Sequence, residues 1–274
     1  EYGINFNSSE NCTVNNNRIV SAHTVDWKRG INNDDSYQNG IINYNYVEVN
    51  GAPDWSDIHG IICHDCTISY DTLSINDVYR GTDDDVVVVG IRADRSIITN
   101  CSIDIWRNSY VDWGGPAYAI LSYSNTNERS LIQNNTIHAV DGSGGINATY
   151  SDILNNAINP NSLDNNQFAI NSGDYNVIRN NTIVGMQHGI QASDRWDNVI
   201  DSNTIDVSNW GIYANNAYGT HTITDNYINK PGGEKLLHVT NTDSVIVRNN
   251  TFLSTGGEGF YFSDTYVDVR YNLL

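Results

Sequence analysis

Apolar residues recur along the whole chain in short segments where apolar and polar positions alternate. The repeat is clearest late in the sequence, where Gly-Ile-Gln-Ala at 189–192 is followed by Val-Ile-Asp-Ser-Asn-Thr-Ile at 199–205. The next Gly-Ile pair stands at 211–212, so 22 positions separate Ile190 from Ile212. Alternation with period two is the pattern of β-strands. The sequence therefore predicts a repeating chain in which every coil holds three short strands.

Stacking the repeats places an apolar residue at the same point of every first strand. This column consists of Ile4, Ile31, Ile61, Ile91, Ile120, Ile146, Ile170, Ile190, Ile212, Leu237 and Phe260. Similar columns follow for the second and third strands. Stacked coils that bury one shared core form a solenoid.

A polar column lies between the second and third strands of the coils. It consists of Asn17, Asn45, Asp71, Cys101, Asn135, Asn156, Asn181, Asn203, Asn226, Asn250 and Asn272. Asn tolerates the left-handed backbone of a tight bend, and a stacked amide can bond the coils above and below. We therefore predict an all-β, right-handed parallel β-helix (a single-stranded solenoid) of about eleven coils. It forms one domain over residues 1–274, and we expect its amino-terminal cap to be missing from this sequence.

These repeats resemble the right-handed parallel β-helix superfamily of pectate lyases, polygalacturonases and NosD-like repeat proteins. The Asn-rich coils and the acidic composition are also similar to archaeal disaggregatase-like surface proteins that degrade polysaccharides. The resemblance implies that a polysaccharide lies in a groove formed by the first sheet and the loops after the third strands. The complete catalytic signatures of polygalacturonases and pectate lyases are missing from this sequence.

The charge balance limits the partners of the chain. It has 14 Lys and Arg against 32 Asp and Glu, a formal net charge of −18. This charge disfavours binding to nucleic acids or to anionic membranes. No apolar run reaches the roughly 20 residues of a membrane-spanning helix, so we expect no membrane insertion. We expect an extracellular or cell-surface protein.

The sequence also contains a Cys-x-x-Cys pair, Cys63 and Cys66. We interpret both as structural strand residues, because no second ligand pair completes a zinc site.

Long loops after the third strands of the early coils carry the first group of site residues. Asp54-Trp55 and Asp112-Trp113 each join a carboxylate to an indole, as Asp26-Trp27 also does. A flat Trp ring can stack on a sugar, and Asp can bind hydroxyls or move protons. The alternative is that each Trp packs its own loop and each Asp caps a turn.

The outward face of the first strands carries a second group. His59, Arg92, Arg95, Tyr118 and Tyr123 lie there. In so acidic a chain, each Arg either neutralises a carboxylated sugar or holds a neighbouring Asp.

A third group shares one column on the outward face of the third strands. Glu48, Ser74, Asp104 and His138 occupy successive coils. Glu48 and Asp104 would be about 9.6 Å apart, near the upper range for an inverting carboxylate pair, and Asp104 and His138 could share a proton. The alternative is a solvated polar face.

The sequence favours a polysaccharide depolymerase, first of all a glycoside hydrolase. Asp54, Asp112 and Asp141 are its predicted acids and bases, with His59 supporting them. Trp55, Trp113, Tyr118 and Tyr123 are the predicted sugar platforms. We expect the site in the amino-terminal half of the solenoid, where the long loops and both Arg residues lie.

Three alternatives remain open at this point. The first is a polysaccharide lyase. The second is a non-catalytic glycan-binding or tailspike-type protein, which can assemble as a homo-oligomer. The third is structural Ca²⁺ binding by Asn33-Asp34-Asp35 and by Thr82-Asp83-Asp84-Asp85, since hard cations take several oxygen ligands. We expect no other cofactor.

Overall fold

The chain forms a parallel β-solenoid without helices in the residues that the computed structural model describes. These are residues 2–6, 11–21, 28–33, 39–51, 57–77, 87–107, 117–140, 142–160, 167–193, 195–230, 235–254, 256 and 258–274. Within them, two sheets have eleven strands and one sheet has ten. The predicted fold class, with about eleven coils, is confirmed.

Each coil contributes one strand to each sheet, except that the last coil has no described strand in sheet 3, and all pairings between strands are parallel. Sheet 1 consists of β1 (Tyr2–Asn5), β4 (Lys28–Asn33), β7 (Ile58–Cys63), β10 (Val88–Arg92), β13 (Ala117–Tyr123), β16 (Ser143–Thr149), β19 (Phe168–Ser172), β22 (His188–Gln191), β25 (Trp210–Asn215), β28 (Lys235–Thr240) and β31 (Glu258–Ser263). Sheet 2 consists of β2 (Thr13–Asn15), β5 (Ile41–Asn43), β8 (Thr67–Ser69), β11 (Ile97–Thr99), β14 (Ser130–Gln133), β17 (Ser151–Leu154), β20 (Val177–Arg179), β23 (Val199–Asp201), β26 (Thr220–Thr224), β29 (Ser244–Arg248) and β32 (Tyr266–Arg270). Sheet 3 consists of β3 (Arg18–Ser21), β6 (Tyr46–Asn50), β9 (Thr72–Asp77), β12 (Ser102–Arg107), β15 (Thr136–Val140), β18 (Ala157–Asn159), β21 (Thr182–Val184), β24 (Thr204–Asp206), β27 (Tyr227–Lys230) and β30 (Thr251–Ser254).

The apolar columns line the interior of the solenoid. Ile61 pairs with Ile31 on one side and with Ile91 on the other. All three are fully buried, as are most members of the columns in sheets 2 and 3. A shift of one residue in any strand would turn its core side chains outward, so burial fixes the register.

The polar column forms a ladder of amides inside the bend between sheets 2 and 3. Asn156 donates its backbone N–H and its side-chain Nδ2–H to Oδ1 of Asn181, at 2.9 and 3.0 Å. A further Nδ2–H bond runs 3.0 Å to the carbonyl of Ile132. Each amide therefore joins its own coil to the coils before and after it, which confirms the predicted ladder.

One part of the prediction for the bend is wrong. The residue in the left-handed conformation is the one before the ladder amide, such as Asn134 (φ 56°), Asn155 (φ 55°) and Asn180 (φ 56°). The ladder residue itself must aim both its N–H and its amide into the interior, so the preceding exposed residue makes the left-handed turn. Tyr44 and Tyr70 also adopt it, with φ of 54° and 58°.

The ladder is interrupted at two adjacent coils. Asp71 accepts bonds from the N–H and Nδ2–H of Asn45 through Oδ1, at 2.6 and 2.9 Å, while its buried Oδ2 has no hydrogen-bond partner among the described residues. Burial raises the pKa of Asp71 to about 6. In the next coil, burial raises the pKa of the Cys101 thiol to about 12, so this thiol stays protonated.

A second polar ladder lies at the bend between sheets 1 and 2, where sequence analysis missed it. Ser151 N–H donates to Asn176 Oδ1 at 2.7 Å, and Asn176 N–H to Asn198 Oδ1 at 2.8 Å. Asn198 N–H then donates to Nδ1 of His221 at 3.2 Å. Burial lowers the pKa of His221, which keeps that nitrogen available as an acceptor. Because its positions are occupied by Ser, Asn or His in different coils, this ladder has no single-residue signature.

We predict that Asp71→Asn stabilises the protein at neutral pH. The unfolded chain ionises this carboxyl near its usual pKa of 3.8, whereas the folded chain holds its proton until about pH 6. Stability from this group is therefore complete below about pH 4 and is lost as pH rises to about 6, by roughly 3 kcal/mol. An amide at position 71 can donate to main-chain carbonyls, as Asn45 does to Val14 and Asn43.

Urea denaturation of both proteins at pH 4 and pH 7 measures this difference. The parent should lose more stability than Asp71→Asn between the two pH values. As a matched control, Asn156→Asp should introduce a similar loss at a regular position of the ladder. An equal loss in the parent and in Asp71→Asn would contradict the prediction.

Candidate functional site

The outward face of sheet 1 is built from two columns of side chains. Cross-strand pairing aligns His59, Val89 and Tyr118 in one column. It aligns Ile62, Arg92, Leu121 and Asn147 in the second, three positions later in each strand. Because neighbouring parallel strands are about 4.8 Å apart, residues some thirty positions apart in sequence come into contact distance.

Both columns are closed on the amino-terminal side. Asn32, His59 and Ile62 are fully or almost fully buried, although Ile62 alternates with the inward-facing Ile61 and Cys63. From Arg92 onward, by contrast, Tyr118 and Asn147 are only partly buried. The second column therefore opens at Arg92 and the first at Tyr118, although Val89 and Leu121 are themselves buried, and the open face continues toward the carboxyl terminus.

A cavity of about 370 Å³ lies at this opening. It is lined by Asp57, His59, Val87, Arg92, Tyr118, Leu121, Tyr123 and Asn147. Four residues predicted from sequence, His59, Arg92, Tyr118 and Tyr123, thus share one cavity in the amino-terminal half. Asp57 and Asn147 complete it. Asp57 was not among the predicted site residues, although it lies two positions before His59.

The two arginines of this region have different surroundings. Arg95 holds Asp65 through two bonds, Nε to Oδ1 at 2.8 Å and Nη2 to Oδ2 at 2.6 Å. Its Nε also lies 3.1 Å from Glu128 Oε2, and the bond to Asp65 raises the pKa of Arg95. Arg92 lines the cavity, and its buried Nε has no hydrogen-bond partner among the described residues. Arg95 therefore pairs with acids of its own chain, whereas Arg92 faces the cavity.

Asp57 and His59 form a carboxylate–imidazole pair at the cavity wall. His59 Nε2 lies 4.0 Å from Asp57 Oδ2, and Val87 N–H donates to Asp57 Oδ1 at 3.1 Å. The interaction with His59 is the largest cause of a lowered pKa of Asp57. Asp57 is therefore a carboxylate at neutral pH and can orient the imidazole.

Two tyrosines form the other side of the cavity. Glycine at position 144 makes room for Tyr118, because a Cβ there would lie 2.9 Å from its ring. Tyr123 donates its backbone N–H to Asp94 Oδ1 at 2.6 Å, and Asp94 Oδ2 lies 3.2 Å from His64 Nδ1. Partial burial raises the pKa of Tyr123, so its phenol keeps its proton at neutral pH.

The predicted column on sheet 3 forms, but its members divide into two networks. His138 Nδ1 lies 2.6 Å from Asp104 Oδ1. Ser74, the strand partner of Asp104, accepts a hydrogen bond from Asn76 Nδ2 at 3.4 Å. In a separate network, Glu48 accepts bonds from Tyr46 Oη at 3.1 Å and from Asn50 Nδ2 at 2.6 Å.

The remaining predicted site residues lie outside the described residues. These are Asp54, Trp55, Asp112, Trp113 and Asp141, together with Asp26, Trp27 and the acids of both predicted Ca²⁺ loops. Among the described residues, no group of three or more His, Cys, Asp or Glu could hold a metal ion. In the same part of the chain no helix has the length and apolarity to cross a membrane.

Two features of the first sheet were missed from sequence. Cys63 and Cys66 form a disulfide at the end of β7, a bond that the interpretation as structural strand residues did not include. An aromatic strip also covers the carboxyl-terminal half of the face.

A further cavity at the carboxyl-terminal end is lined mainly by Leu236, Phe252, Phe260 and Leu274 and contains no titratable side chain among the described residues.

We predict that the two arginines differ in their contribution to stability. Arg95→Ala removes a partly buried bidentate ion pair and should lower the free energy of unfolding by about 1–3 kcal/mol. Arg92→Ala should lower it by less than about 1 kcal/mol, because no hydrogen bond to a described residue is lost. Thermal melting of both variants measures the difference, and equal losses would contradict it.

The chain matches one family of known proteins over more than half of its length. The family model described as right handed beta helix region matches residues 87–252. Solved structures of the periplasmic alginate epimerase AlgG are similar to this chain. A double mutant has a TM-score of 0.41 at 12% identity over 86% of this chain and 77% of that chain. A single mutant has a TM-score of 0.27 at 12% identity over 83% and 75%.

At these TM-scores the similarity to AlgG carries no argument about activity. No match is found among curated proteins. The family model, however, covers more than half of the sequence. The chain therefore belongs to the right-handed β-helix family.

Proposed function

We propose that this β-helix acts on an acidic polysaccharide, which binds along sheet 1 with a uronate carboxylate at Arg92. The observation that supports this proposal is the position of Arg92 in the cavity, with a buried Nε that bonds to no described residue. A guanidinium binds a carboxylate through paired hydrogen bonds. The phenols of Tyr118 and Tyr123 and the amide of Asn147 can bind sugar hydroxyls beside it.

The net charge of −18 does not exclude an anionic substrate. Exposed charges farther apart than a Debye length of about 8 Å are largely screened at physiological salt. A guanidinium and a carboxylate about 4 Å apart attract by about 4 kcal/mol at an effective dielectric constant near 20. The local attraction therefore exceeds the distant repulsion.

The groups around the cavity favour a lyase reaction. Neutralising the uronate carboxylate makes the adjacent C–H bond more acidic. We assign the removal of that proton to His59, which lines the cavity beside Asp57. The electron pair of the C–H bond forms a carbon–carbon double bond as the bond to the glycosidic oxygen breaks, and Tyr123 gives that oxygen a proton. Tyr123 holds the proton that this step needs, because partial burial raises the pKa of its phenol.

Hydrolysis needs different groups. A glycoside hydrolase places two carboxyl groups beside the scissile bond. The cavity contains one described carboxylate, Asp57, and it pairs with His59. The sequence-based assignment of Asp54, Asp112 and Asp141 as acids and bases thus remains a prediction about residues outside the described part.

The disulfide supports a location outside the cytosol. Disulfides such as Cys63–Cys66 persist mainly in oxidising compartments. We therefore propose an extracellular or cell-surface protein, where a polysaccharide is accessible.

We predict that the protein releases unsaturated uronate products from an acidic polysaccharide and that Arg92→Ala lowers kcat/KM by about 100-fold or more. The assay follows ultraviolet absorbance and new reducing ends with polygalacturonate, alginate and hyaluronan, and with neutral glucans as negative substrates. Arg179→Ala is the matched control. Its side chain pairs with Asp201 at 2.7 Å on sheet 2, away from the cavity.

The outcomes separate the alternatives. Reducing ends without ultraviolet absorbance would show hydrolysis and contradict the lyase step. Binding without turnover would show the non-catalytic glycan-binding protein. Equal losses in Arg92→Ala and Arg179→Ala would remove Arg92 from the site.

A further inference from the structure

Six aromatic side chains form a continuous strip on the carboxyl-terminal half of sheet 1. We define the aromatic strip as Phe168, His188, Trp210, Tyr213, His238 and Tyr261. Five successive ring contacts join them, with centroid distances of 4.8, 4.9, 4.7, 4.9 and 5.0 Å. Except for the buried His188, the rings are partly or well exposed.

The strip continues the surface that lines the cavity. Phe168, His188 and Trp210 follow one another in the column that begins with His59 and Tyr118. Tyr213, His238 and Tyr261 lie in the column of Arg92. Between them, Asn147, Asn171 and Gln191 fill that second column without a charge.

Ring orientation leaves room for contact with a ligand. The planes of His188 and Trp210 are inclined by 41°, and those of Tyr213 and His238 by 48°, whereas Trp210 and Tyr213 stack at 10°. Inclined neighbours do not cover each other's faces completely. Aromatic rings of this kind contact the apolar C–H faces of sugars. Among the described residues, a Lys or Arg lies over these rings only at the far end, where Lys235 Nζ is 3.9 Å from the ring centroid of Tyr261. A carboxylate over the rest of the strip would lack a counter-charge.

The geometry also gives the direction of a bound chain. The face is closed at Asn32, His59 and Ile62 and open beyond Arg92. Neighbouring coils are about 4.8 Å apart, close to the length of one pyranose unit in an extended chain. A chain anchored at Arg92 can therefore extend over the strip with about one sugar for each coil.

We infer that the aromatic strip binds uncharged sugars of a heteropolysaccharide whose acidic sugar occupies the Arg92 cavity, and that the chain extends from there toward the carboxyl terminus. This inference rests on the proposed function and adds two properties to it. The substrate class contains both uronate and uncharged sugars, and the longer part of the bound chain lies on one side of the cavity.

Calorimetric titration of the full chain with polymeric hyaluronan, hyaluronan tetrasaccharide and polygalacturonate tests this inference. Hyaluronan alternates uronate with uncharged sugars, so it should bind more tightly than the all-uronate polymer. Tyr213→Ala should raise the Kd for the hyaluronan polymer about tenfold more than the Kd for the tetrasaccharide. Tyr213→Phe, which keeps the ring, should restore the parent ratio.

Tyr218→Ala is the matched control, because Tyr218 stacks on Trp196 at 5.3 Å outside the strip. It should leave the ratio of the two Kd values at the parent value. The inference about the strip is wrong if Tyr213→Ala leaves the ratio of the two Kd values at the parent value while the separate variant Arg92→Ala weakens the binding of both ligands. The proposed function would then still stand. Tighter binding of polygalacturonate than of hyaluronan would contradict the inference that the strip binds uncharged sugars. No binding of any of these ligands by the parent would overturn both proposals.

Discussion

The bend between sheets 2 and 3 carries polar backbone into the interior of the solenoid, and these groups must find hydrogen-bond partners there. Buried amides meet this requirement, because each of them bonds both neighbouring coils. Asn156 shows the pattern, with bonds to Asn181 in one direction and to Ile132 in the other. The ladder thereby fixes how each coil lies on the next. The remaining features of the molecule depend on that stacking.

The fixed stacking of the coils determines which side chains lie next to each other on the outward face of sheet 1. The same register that pairs Ile61 with Ile91 also pairs Ile62 with Arg92 and His59 with Val89. A slip of one residue would bury Arg92 in the core and break up the cavity. The proposed site is therefore a product of the ladder, although no ladder residue lines the cavity. Asp71, the acid inside the ladder, shows that the interior accommodates a departure from the amide, although burial raises the pKa of this carboxyl to about 6.

The fold could be predicted from sequence because both of its causes repeat. Apolar columns and ladder amides recur at every coil, so a local irregularity such as Cys101 does not hide them. The described part of the cavity could also be predicted in part, since Arg92 follows the core residue Ile91 and Tyr118 stands two positions before the core residue Ile120. The different surroundings of Arg92 and Arg95 could not be predicted from sequence, because the conformation of the bend decides which guanidinium contacts Asp65.

The aromatic strip has a signal in the sequence, although the sequence-based site prediction did not use it. Phe168, His188 and Trp210 each stand two positions before the core Ile of their strand. The disulfide had no comparable signal, because its formation depends on how the chain turns between Cys63 and Cys66. The Asp-Trp pairs belong to loops outside the repeat, where stacking gives no rule for position.

A crystal structure with a bound oligosaccharide of alternating uronate and uncharged sugars tests the central claim most directly. It should show a carboxylate on the guanidinium of Arg92 and the following sugars above Gln191 and Tyr213. An oligosaccharide bound to sheet 3 at Asp104 and His138, or one on sheet 1 without contact to Arg92, would contradict the account.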